Sequence, residues 1–288
     1  MGMVFCLDCN FPFELTDQNF NDYFSNQKVS CPECHKEASA WKLVKSALDK
    51  DWFFDGIFSF IGAQRSILNV NIFENQAIEL KFENYGIPKG SKILYLNYTP
   101  QGGGLFAFEM HGNTPNRTIP QEQVTLYPTR VPGEASSHQP GLLGVFVSWV
   151  MVGDESERSY VSLIQALEDS HAKDYGSAVI AANTAMELEV MRYVEDQISA
   201  VTSKSNKNEF MKLSTYIPSL KTLLPLITRL KGMADLPEEV RLALIDLASK
   251  RNQIAHTGTT SQDLNAKEMS RMLCGVIFGV RYMKLIQT

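Results

Sequence analysis

Three polar side chains within the six residues from Arg251 to His256 have the types needed to act on a phosphodiester. Arg251 carries a permanent positive charge, Asn252 carries an amide and His256 carries an imidazole. A guanidinium stabilises charge that develops on a phosphate, and an imidazole can accept and release a proton. The segment therefore contains the groups that RNA cleavage without a catalytic metal requires.

This segment lies at the end of a predicted helix that runs from Leu236 to about His256. Pro237 falls in the first turn of this helix, and Gly258 marks its expected stop. The apolar stripe of the helix is formed by Val240, Leu244, Leu247 and Ile254. Arg251 continues this stripe, whereas His256 lies about 140° round from Arg251. The two groups meet at one substrate only if the helix unwinds before His256 or if a second chain supplies one of them.

Arg251 and His256 also have purely structural interpretations. An arginine on a buried helix face needs an acceptor, which Glu187 or Glu189 would supply. A histidine at the carboxyl end of a helix stabilises the negative end of the helix dipole. These interpretations and the catalytic one all stay open at the level of the sequence.

Four cysteines near the amino terminus form two pairs, Cys6 with Cys9 and Cys31 with Cys34. Two residues separate the members of each pair, and 21 residues separate the pairs. This spacing lets both thiolates of a pair reach one tetrahedral ion at about 2.3 Å, and four thiolates close the site. The alternatives are disulfides, which are rare in cytosolic proteins, and free buried cysteines. We predict one structural zinc ion in a zinc ribbon over residues 1–48, in which the stretch between the pairs has room for a short hairpin. His35 directly follows Cys34 and could replace a ligand, but four cysteines already suffice, so we expect it to be exposed.

Residues 49–153 predict a β-rich module. Ala77 to Phe82 alternates apolar and polar side chains, and clusters of Gly, Pro and Asn interrupt the following apolar runs at close intervals. Short strands at this spacing predict an antiparallel, sandwich-like domain. Aromatic side chains such as Tyr98, Phe106 and Trp149 are expected between its sheets, with the alternative that one or two of them face a ligand. Because no catalytic set of residues falls here, we expect this module to recognise or support a partner.

Residues 154–288 predict an all-α bundle. They contain repeated apolar stripes with the 3.6-residue period, enough for five or so antiparallel helices joined by short links. Asp174 is the predicted cap of the second helix, and Asp263 is the predicted cap of the last one. Together with the two preceding modules, this gives a multidomain α+β protein.

Two features are expected to interrupt the helices of the bundle. The polar run Ser203–Asn208 has no apolar side chain and is predicted to be a linker. Pro218 and Pro225 lie within the next apolar stripe, and each is expected to end or bend a helix.

Composition and charge limit the classes of function. The chain has 288 residues, with 27 basic and 32 acidic side chains and a net charge of −5. From Glu155 onward 16 side chains are basic and 16 acidic, which leaves 11 against 16 for the rest. Nucleic-acid binders usually carry a basic surplus because phosphate contacts supply most of their affinity. A general RNA-binding role is therefore disfavoured, and any RNA contact must come from a local patch.

The apolar runs and the amino terminus predict where the protein is found. The longest apolar run, Gly141 to Gly153, is shorter than the ~18–20 residues of a membrane span. The amino terminus lacks the basic and then apolar build of a signal peptide. We therefore expect a cytoplasmic protein that has no membrane partner.

The motif formed by Lys250–Asn252 and Ile254–Gly258 resembles the R-x4-H motif of HEPN domains. The similarity extends over the helical part as an Ala-rich early helix, a Pro-led helix, the motif and a final amphipathic helix. The resemblance implies an all-helical, commonly dimeric domain that occurs in many ribonucleases of prokaryotic toxin and anti-phage systems. It also implies that His256 transfers a proton, Arg251 stabilises the scissile phosphate and Asn252 orients substrate or imidazole, with no cofactor for catalysis.

We therefore expect a metal-independent endoribonuclease of toxin or antiviral defence type that acts as a homodimer. Its substrate would be RNA, with tRNA as one candidate, and a protein or phage trigger would act on the N-terminal modules. The alternative is a non-catalytic HEPN adaptor that dimerises and binds a protein or nucleic acid through the zinc and β modules. A zinc-ribbon regulator that contacts DNA is disfavoured by the acidic N-terminal half and by the lack of a recognition-helix motif.

Overall fold

The computed structural model describes residues 2–50, 58–102, 104–107, 119–131, 140–151, 157–257 and 264–287. Contacts divide the chain into two compact units. The first unit contains Met1–Ile61 together with Glu155–Thr288, and the second contains Gly62–Asp154. The N-terminal segment thus shares a unit with the C-terminal helices, and the finer division into three modules stays a prediction.

The N-terminal segment consists of two short antiparallel hairpins and two helices. In chain order these are β1 (Gly2–Phe5), β2 (Pro12–Leu15), α1 (Asp17–Phe24), β3 (Val29–Ser30), β4 (Glu37–Ala38) and α2 (Ala40–Lys50). Thr16 begins α1 with a capping box, in which its hydroxyl accepts from the Asn19 amide and the Asn19 side chain accepts from the Thr16 amide. The stretch between the cysteine pairs, which is long enough for a short hairpin, contains the helix α1 instead, because this cap and the buried side chains of α1 favour a helix there.

The rest of the first unit is helical, as predicted. Its helices are α3 (Glu157–His171), α4 (Tyr175–Ser199), α5 (Lys204–Leu213), α6 (Tyr216–Pro218), α7 (Leu224–Leu230), α8 (Glu238–Thr257) and α9 (Ala266–Gln287). The predicted cap of α4 is confirmed, since the Asp174 carboxylate accepts from the Ser177 amide at 3.2 Å. At α9 the cap is Asn265, whose side chain accepts from the Glu268 amide at 3.1 Å. Asp263 and the predicted stop Gly258 lie outside the described residues.

The predicted linker Ser203–Asn208 is wrong, because α5 begins within it. Ser203 is the N-cap, and its hydroxyl accepts from the Asn206 amide at 3.3 Å. None of the residues of α5 is buried. Lys207 forms an ion pair with Glu195 of α4 at 2.8 Å. The polar run therefore forms the first turn of a helix, because Ser203 caps it and because Phe210 and Met211 further along the same helix are half-buried.

Pro218 and Pro225 lie at the two edges of a change in helix type. Pro218 is the last residue of α6 and Pro225 is the second residue of α7, and the chain stays helical between them. The intervening residues Ser219–Leu223 form a π-helical turn. A wider turn of this kind lengthens the hydrogen-bonded ring and accommodates residues that do not fit an α-helical ladder. The expected interruption is therefore a change of helix type.

Helix α9 lies at the centre of the first unit. Most of its side chains from Met269 to Ile286 are buried, and it contacts α2, α4 and α8. Its two glycines lie at the closest contacts. A Cβ at Gly275 would be 2.7 Å from the Ala243 Cβ, and a Cβ at Gly279 would be 2.6 Å from the Met186 Sδ. The final helix predicted as amphipathic is thus buried on nearly every side.

We expect Gly275→Ala to destabilise the protein although alanine is the better helix former. The new methyl group would meet the Ala243 Cβ, which has no rotamer freedom to move away. Overpacking of this kind costs about 1–3 kcal/mol, more than the ~1 kcal/mol that alanine gains over glycine in a helix. Urea unfolding should show the loss, and the loss should be smaller in a protein that also carries Ala243→Gly. Equal losses in both backgrounds would rule out this contact as the cause.

Aromatic side chains join the N-terminal segment to the C-terminal helices. The ring centroid of Phe278 in α9 lies 4.6 Å from that of Tyr23 and 5.1 Å from that of Phe20. Trp41 of α2 lies 5.5 Å from the same ring. The Tyr23 hydroxyl donates to Glu239 Oε1 of α8 at 2.7 Å. These contacts bury aromatic area from both ends of the chain in a single core.

Arg281 of α9 adds a charged contact to this interface. Its guanidinium lies 3.8 Å from the ring centroid of Phe20, its Nε donates to the Phe60 carbonyl, and its Nη1 donates to Asp17 Oδ1 at 2.8 Å. The Arg281 side chain is 15% exposed and that of Asp17 is 86% exposed. The hydrogen bond from Arg281 lowers the pKa of the Asp17 carboxyl below its ordinary value.

We expect Asp17→Asn to remove a small, pH-dependent part of the stability. Because the pKa of Asp17 is lower in the folded protein than in the unfolded chain, the ion pair stabilises the fold above about pH 4. This contribution is lost as the pH falls through the folded value. It amounts to at most about 1 kcal/mol, since solvent screens the exposed carboxylate. Urea unfolding at pH 7 and pH 3 should therefore show a difference between the two proteins at pH 7 that shrinks at pH 3.

The second unit is made of antiparallel strands. They are β5 (Gln64–Ile72), β6 (Ile78–Lys81), β7 (Ser91–Gly102), β8 (Leu105–Phe106), β9 (Gln123–Leu126), β10 (Thr129–Arg130) and β11 (Gly141–Met151). Strand β11 is the centre of a three-stranded sheet between β5 and β7, and β6 pairs with β9 and β8 with β10. Leu143, Val145 and Val147 of β11 point to one face and are buried. The predicted antiparallel β-rich region is confirmed, and the sandwich-like arrangement stays a prediction.

The core of this unit is mainly aliphatic. Tyr98 and Trp149 pack against it as predicted, and the Trp149 Nε1 donates to the Ser66 hydroxyl at 3.1 Å. Phe106 is 36% exposed, so its predicted place between sheets is wrong. Strand β8 has only two residues, and its Leu105 faces the core instead. Among the described helices of the chain, none combines the length and the apolar character needed to cross a bilayer.

Candidate metal centre and active site

The two cysteine pairs lie in tight turns that have the same backbone pattern. In the first turn the Asn10 amide donates to the Cys6 carbonyl at 3.1 Å. In the second turn the His35 amide donates to the Cys31 carbonyl at 3.0 Å. Asn10 and His35 both have a left-handed backbone, with φ of 59° and 58°. Each turn thereby folds back after its second cysteine and presents both thiols on the same side.

The four thiols come together at one point, as the spacing predicts. The sulfur of Cys6 lies 3.5 Å from that of Cys34, and the sulfur of Cys9 lies 3.7 Å from that of Cys31. All four sulfurs lie within 4.8 Å of one another. A tetrahedron with metal–sulfur bonds of about 2.3 Å requires sulfurs about 3.8 Å apart. The cluster can therefore hold a metal ion, and four thiolates leave no open position on that ion.

The protonation of the thiols also favours a bound cation. Hydrogen bonds from the Cys9 and Asp8 amides lower the pKa of Cys6 to about 6. The Phe11 backbone lowers the pKa of Cys9, but burial and the neighbouring thiols outweigh it and raise that pKa to about 12. Without a cation, one thiolate therefore opposes the ionisation of the next. A divalent ion removes this repulsion, because each ligand binds it as a thiolate.

His35 does not act as a ligand. Its side chain is exposed, as predicted, and its backbone closes the second turn. Sequence reasoning missed this backbone role and the matching role of Asn10. Each of these residues directly follows the second cysteine of its pair, which is the position that requires a left-handed backbone. Asp8 and Lys36 were also missed, and their ion pair at 2.8 Å links the two turns.

Helix α8 leaves the core before the R-x4-H motif. The predicted apolar stripe is correct as far as Leu247, and its buried members are Val240, Leu244 and Leu247. From Arg251 to Thr257 every side chain is exposed except that of Ile254, which is half-buried. Arg251 therefore does not lie on a buried face, and its expected place in the core is wrong. The last two turns of the helix extend past the part that is packed against its neighbours.

The proposed structural partners of Arg251 bind elsewhere. The Glu189 carboxylate forms an ion pair with Arg192 at 2.7 Å, and the Glu187 carboxylate accepts from the Asn183 amide group at 3.1 Å. Neither acid contacts Arg251 in the described residues. The interpretation that Arg251 braces the bundle through Glu187 or Glu189 is therefore wrong.

Arg251 and His256 lie on different faces of an intact helix end. The helix continues through His256 to Thr257, whose hydroxyl donates to the Gln253 carbonyl at 2.8 Å. Unwinding before His256 is therefore not the way in which the two groups meet. Arg251 Nη1 instead donates to Asn252 Oδ1 at 3.2 Å. In one chain, the Arg251 guanidinium is therefore held by the Asn252 side chain. The exposed imidazole of His256 lies about 7.5 Å further along the helix axis.

Comparison of the chain with protein-family models, with curated proteins and with solved structures finds no match. The assignment of a function therefore depends on the residues of the two sites themselves.

Proposed function

We propose that the chain is a cytoplasmic, metal-independent endoribonuclease of toxin or antiviral defence type, with an active site shared by two HEPN-like copies. The observation that carries this proposal is the exposed motif at the end of α8. Arg251, Asn252 and His256 all face solvent, and Arg251 has no carboxylate partner among the described residues. A phosphate group suits such a guanidinium because its oxygens accept two parallel hydrogen bonds and balance the positive charge.

The reaction that fits these groups is transesterification of RNA. The ribose 2′-oxygen forms a bond to the adjacent phosphorus, and the bond from phosphorus to the 5′-oxygen of the next nucleotide breaks. His256 takes the proton from the 2′-hydroxyl and returns it to the leaving 5′-oxygen. Arg251 stabilises the charge on the phosphate oxygens, and Asn252 holds the guanidinium in place. The products end in a 2′,3′-cyclic phosphate and a 5′-hydroxyl.

The geometry of α8 supports a site formed by two copies. Because the helix is intact, Arg251 and His256 of one chain point about 140° apart and cannot easily contact the same phosphate. A two-fold axis beside the exposed helix end brings Arg251 of one copy towards His256 of the other. Such a homodimer contains two equivalent sites.

We propose zinc as the ion of the four-cysteine cluster, held by Cys6, Cys9, Cys31 and Cys34. When bound, the ion would offset the negative charge of the four thiolates. It would also link the hairpin β1–β2 to the hairpin β3–β4. Its position in a closed site gives it a structural role that is separate from the reaction. A protein or phage trigger that acts on the N-terminal segment stays part of this proposal.

The test is cleavage of purified total RNA and tRNA by wild type and His256→Ala in a magnesium-free buffer with a brief EDTA treatment. Zinc content is measured afterwards, so that loss of the structural ion is not mistaken for loss of a catalytic one. Cleavage by wild type that yields cyclic phosphate ends and is absent in the variant supports the proposal. Equal cleavage by both proteins removes His256 from the mechanism.

A non-catalytic adaptor is the second candidate function, and the charge balance favours it. The sequence from Glu155 onward has 16 basic and 16 acidic residues, without the surplus that RNA binding usually requires. In that case the bundle dimerises and other parts of the chain bind a protein or nucleic acid. Wild type and His256→Ala would then behave identically on RNA and in cells.

A further inference from the structure

Basic side chains are concentrated in one part of the helical region. Residues 204–231, here called the basic segment, contain six basic side chains and one acidic side chain, Glu209. Of the 16 basic and 16 acidic residues from Glu155 onward, 10 basic and 15 acidic ones therefore lie outside the basic segment. The neutral balance of this half of the chain hides a local surplus of positive charge, which is the usual mark of a surface that binds nucleic acid.

The fold holds the two ends of the basic segment at the same place. Lys207 of α5 forms its ion pair with Glu195 of α4, and the Nζ of Lys231, which follows α7, lies 5.5 Å from the ring centroid of Tyr193. Tyr193 and Glu195 are two residues apart in α4. The basic segment therefore folds back onto the end of α4, and its charges are gathered there instead of being spread along the protein.

Several of these charges are available to a ligand. Lys204 and Lys212 of α5 and Lys221 of the π-helical turn are all exposed. None of the three forms an ion pair with a carboxylate in the described part of the chain. An anionic ligand can therefore bind them without first breaking an existing ion pair.

A cleft of about 740 Å³ extends this surface to α8. It lies between the π-helical turn, α7 and the start of α8, and its basic side chains are Lys221, Arg229 and Arg241. Two acids, Asp235 and Glu238, line it as well. The Asp235 carboxylate accepts from Arg229 Nε at 2.9 Å, and the Glu238 carboxylate lies 3.7 Å from Arg241. The acids thus balance the two arginines, and Lys221 gives the cleft a net positive charge.

We infer that the basic segment binds a duplex stem of a structured RNA. Duplex RNA is recognised mainly through its phosphates and 2′-hydroxyls, and phosphate contacts with lysine and arginine supply most of the affinity. Asn206, Asn208 and Thr222 are exposed among the lysines, and their side chains can bond to 2′-hydroxyls. The choice of RNA as the ligand rests on the proposed function, in which RNA is the substrate.

The aromatic side chains of the basic segment favour a duplex over a single strand. Sites for single strands combine basic side chains with exposed aromatic rings on which the bases stack. The two aromatic residues of the basic segment are Phe210, which is half-buried, and Tyr216, which is 6% exposed. Unpaired bases therefore find no exposed ring here, whereas a duplex needs none.

The distance from the cleft to the R-x4-H motif defines the class of substrate. Arg241 and His256 are fifteen residues apart in α8, which corresponds to about 22 Å along the helix axis. An RNA that contacts both must extend well beyond the nucleotides on either side of the bond that is cut. The basic segment should therefore favour structured RNAs such as tRNA over short oligonucleotides.

The test measures RNA binding by fluorescence anisotropy with full-length His256→Ala, so that the RNA stays intact. We expect an RNA hairpin of about 16 base pairs to bind with a Kd on the order of 10⁻⁶ M at about 50 mM salt, more tightly than oligo-rU of the same length. The additional changes Lys204→Ala, Lys212→Ala and Lys221→Ala should together weaken hairpin binding at least about tenfold. They should also reduce the slope of log K against log salt by about three.

The matched control removes three exposed lysines from outside the basic segment. Lys42→Ala, Lys81→Ala and Lys89→Ala cause the same change in net charge, and they should leave the slope unchanged. Equal losses in the two triple variants would show an effect of total charge and overturn the inference. It would also be overturned if the hairpin does not bind, or if oligo-rU binds more tightly than the hairpin.

An acidic protein is the competing partner, because Leu213 and Leu230 of the same surface are 80% and 79% exposed. Poly-glutamate that binds as tightly as the hairpin would favour such a protein and count against RNA. The proposed ribonuclease can fail separately from this inference. Hairpin binding that depends on the basic segment, together with no RNA cleavage by wild type, would remove the proposed enzyme and keep the RNA-binding surface. Cleavage by wild type with no effect of the three lysines on binding would do the reverse.

Discussion

Replacement of His256 by alanine should lower the rate of RNA cleavage by about 10²–10⁴-fold, the range for loss of a positioned acid and base. The reason is that His256 is the only imidazole at the described end of α8, and an imidazole is the group best suited to move a proton between the 2′- and 5′-oxygens near neutral pH. His256 is exposed and has no packing role, so the free energy of unfolding should change by less than about 0.5 kcal/mol. Cleavage rates and urea unfolding of both proteins give the two measurements.

The matched control for this variant is His171→Ala. His171 is the exposed last residue of α3 and belongs to the same compact unit. Its replacement removes the same chemical group from another helix end and should leave cleavage unchanged. If both histidine variants lose activity to the same degree, the imidazole of His256 has no special role.

A mixing experiment distinguishes a shared site from a site within one chain. Arg251→Ala and His256→Ala should each be inactive as a homodimer. In an equal mixture about half of the dimers contain one chain of each kind, and each such dimer has one intact site. We therefore expect the refolded mixture to regain about a quarter of the wild-type rate. No recovery, despite heterodimers seen by native mass spectrometry, would show that Arg251 and His256 act from the same chain.

Removal of the metal should destabilise the whole first unit and not just the N-terminal segment. The cysteine turns are joined to α1 and α2, whose aromatic side chains pack on Phe278 of α9. We expect Cys31→Ser to cost at least ~4 kcal/mol, because it leaves three thiolates without a closed site. This corresponds to a fall in Tm on the order of 10 °C for a unit of this size. Calorimetry and helical circular dichroism should report the same shift.

Cys274→Ala is the control for loss of a thiol. Cys274 is buried in α9, and burial raises its pKa well above the ordinary value, so it is not a candidate ligand. Its replacement should keep one zinc per chain while it removes some core packing. If helical melting in Cys31→Ser matches wild type, the four-cysteine segment is an independent module, as the sequence alone led us to expect.

The parts of the fold that follow local rules could be predicted from the sequence. The four-cysteine cluster follows from the two-residue spacing, and the start of α4 follows from the capping ability of Asp174. The position of α8 followed from its apolar period and from Pro237. In each case neighbouring residues along the chain decide the outcome.

The parts that depend on distant contacts could not be predicted. The apolar stripe of α8 extends formally past Arg251 to Ile254, but full burial ends at Leu247 and Ala248, and Ile254 is only half-buried. The helix α1 between the cysteine pairs needs the surface of α9, which lies more than two hundred residues later in the chain. The apolar period of a helix shows which of its faces is buried, but it does not show where the helices that pack against this face end.

The central position of α9 also has a consequence for biosynthesis. The ribosome releases the cysteine turns, α1 and α2 long before α9, and the second unit is made in between. Phe20, Tyr23 and Trp41 therefore stay without their main aromatic partner until the final helix emerges. This order of synthesis therefore delays assembly of the bundle that supports α8 and its exposed end until the last helix has been made.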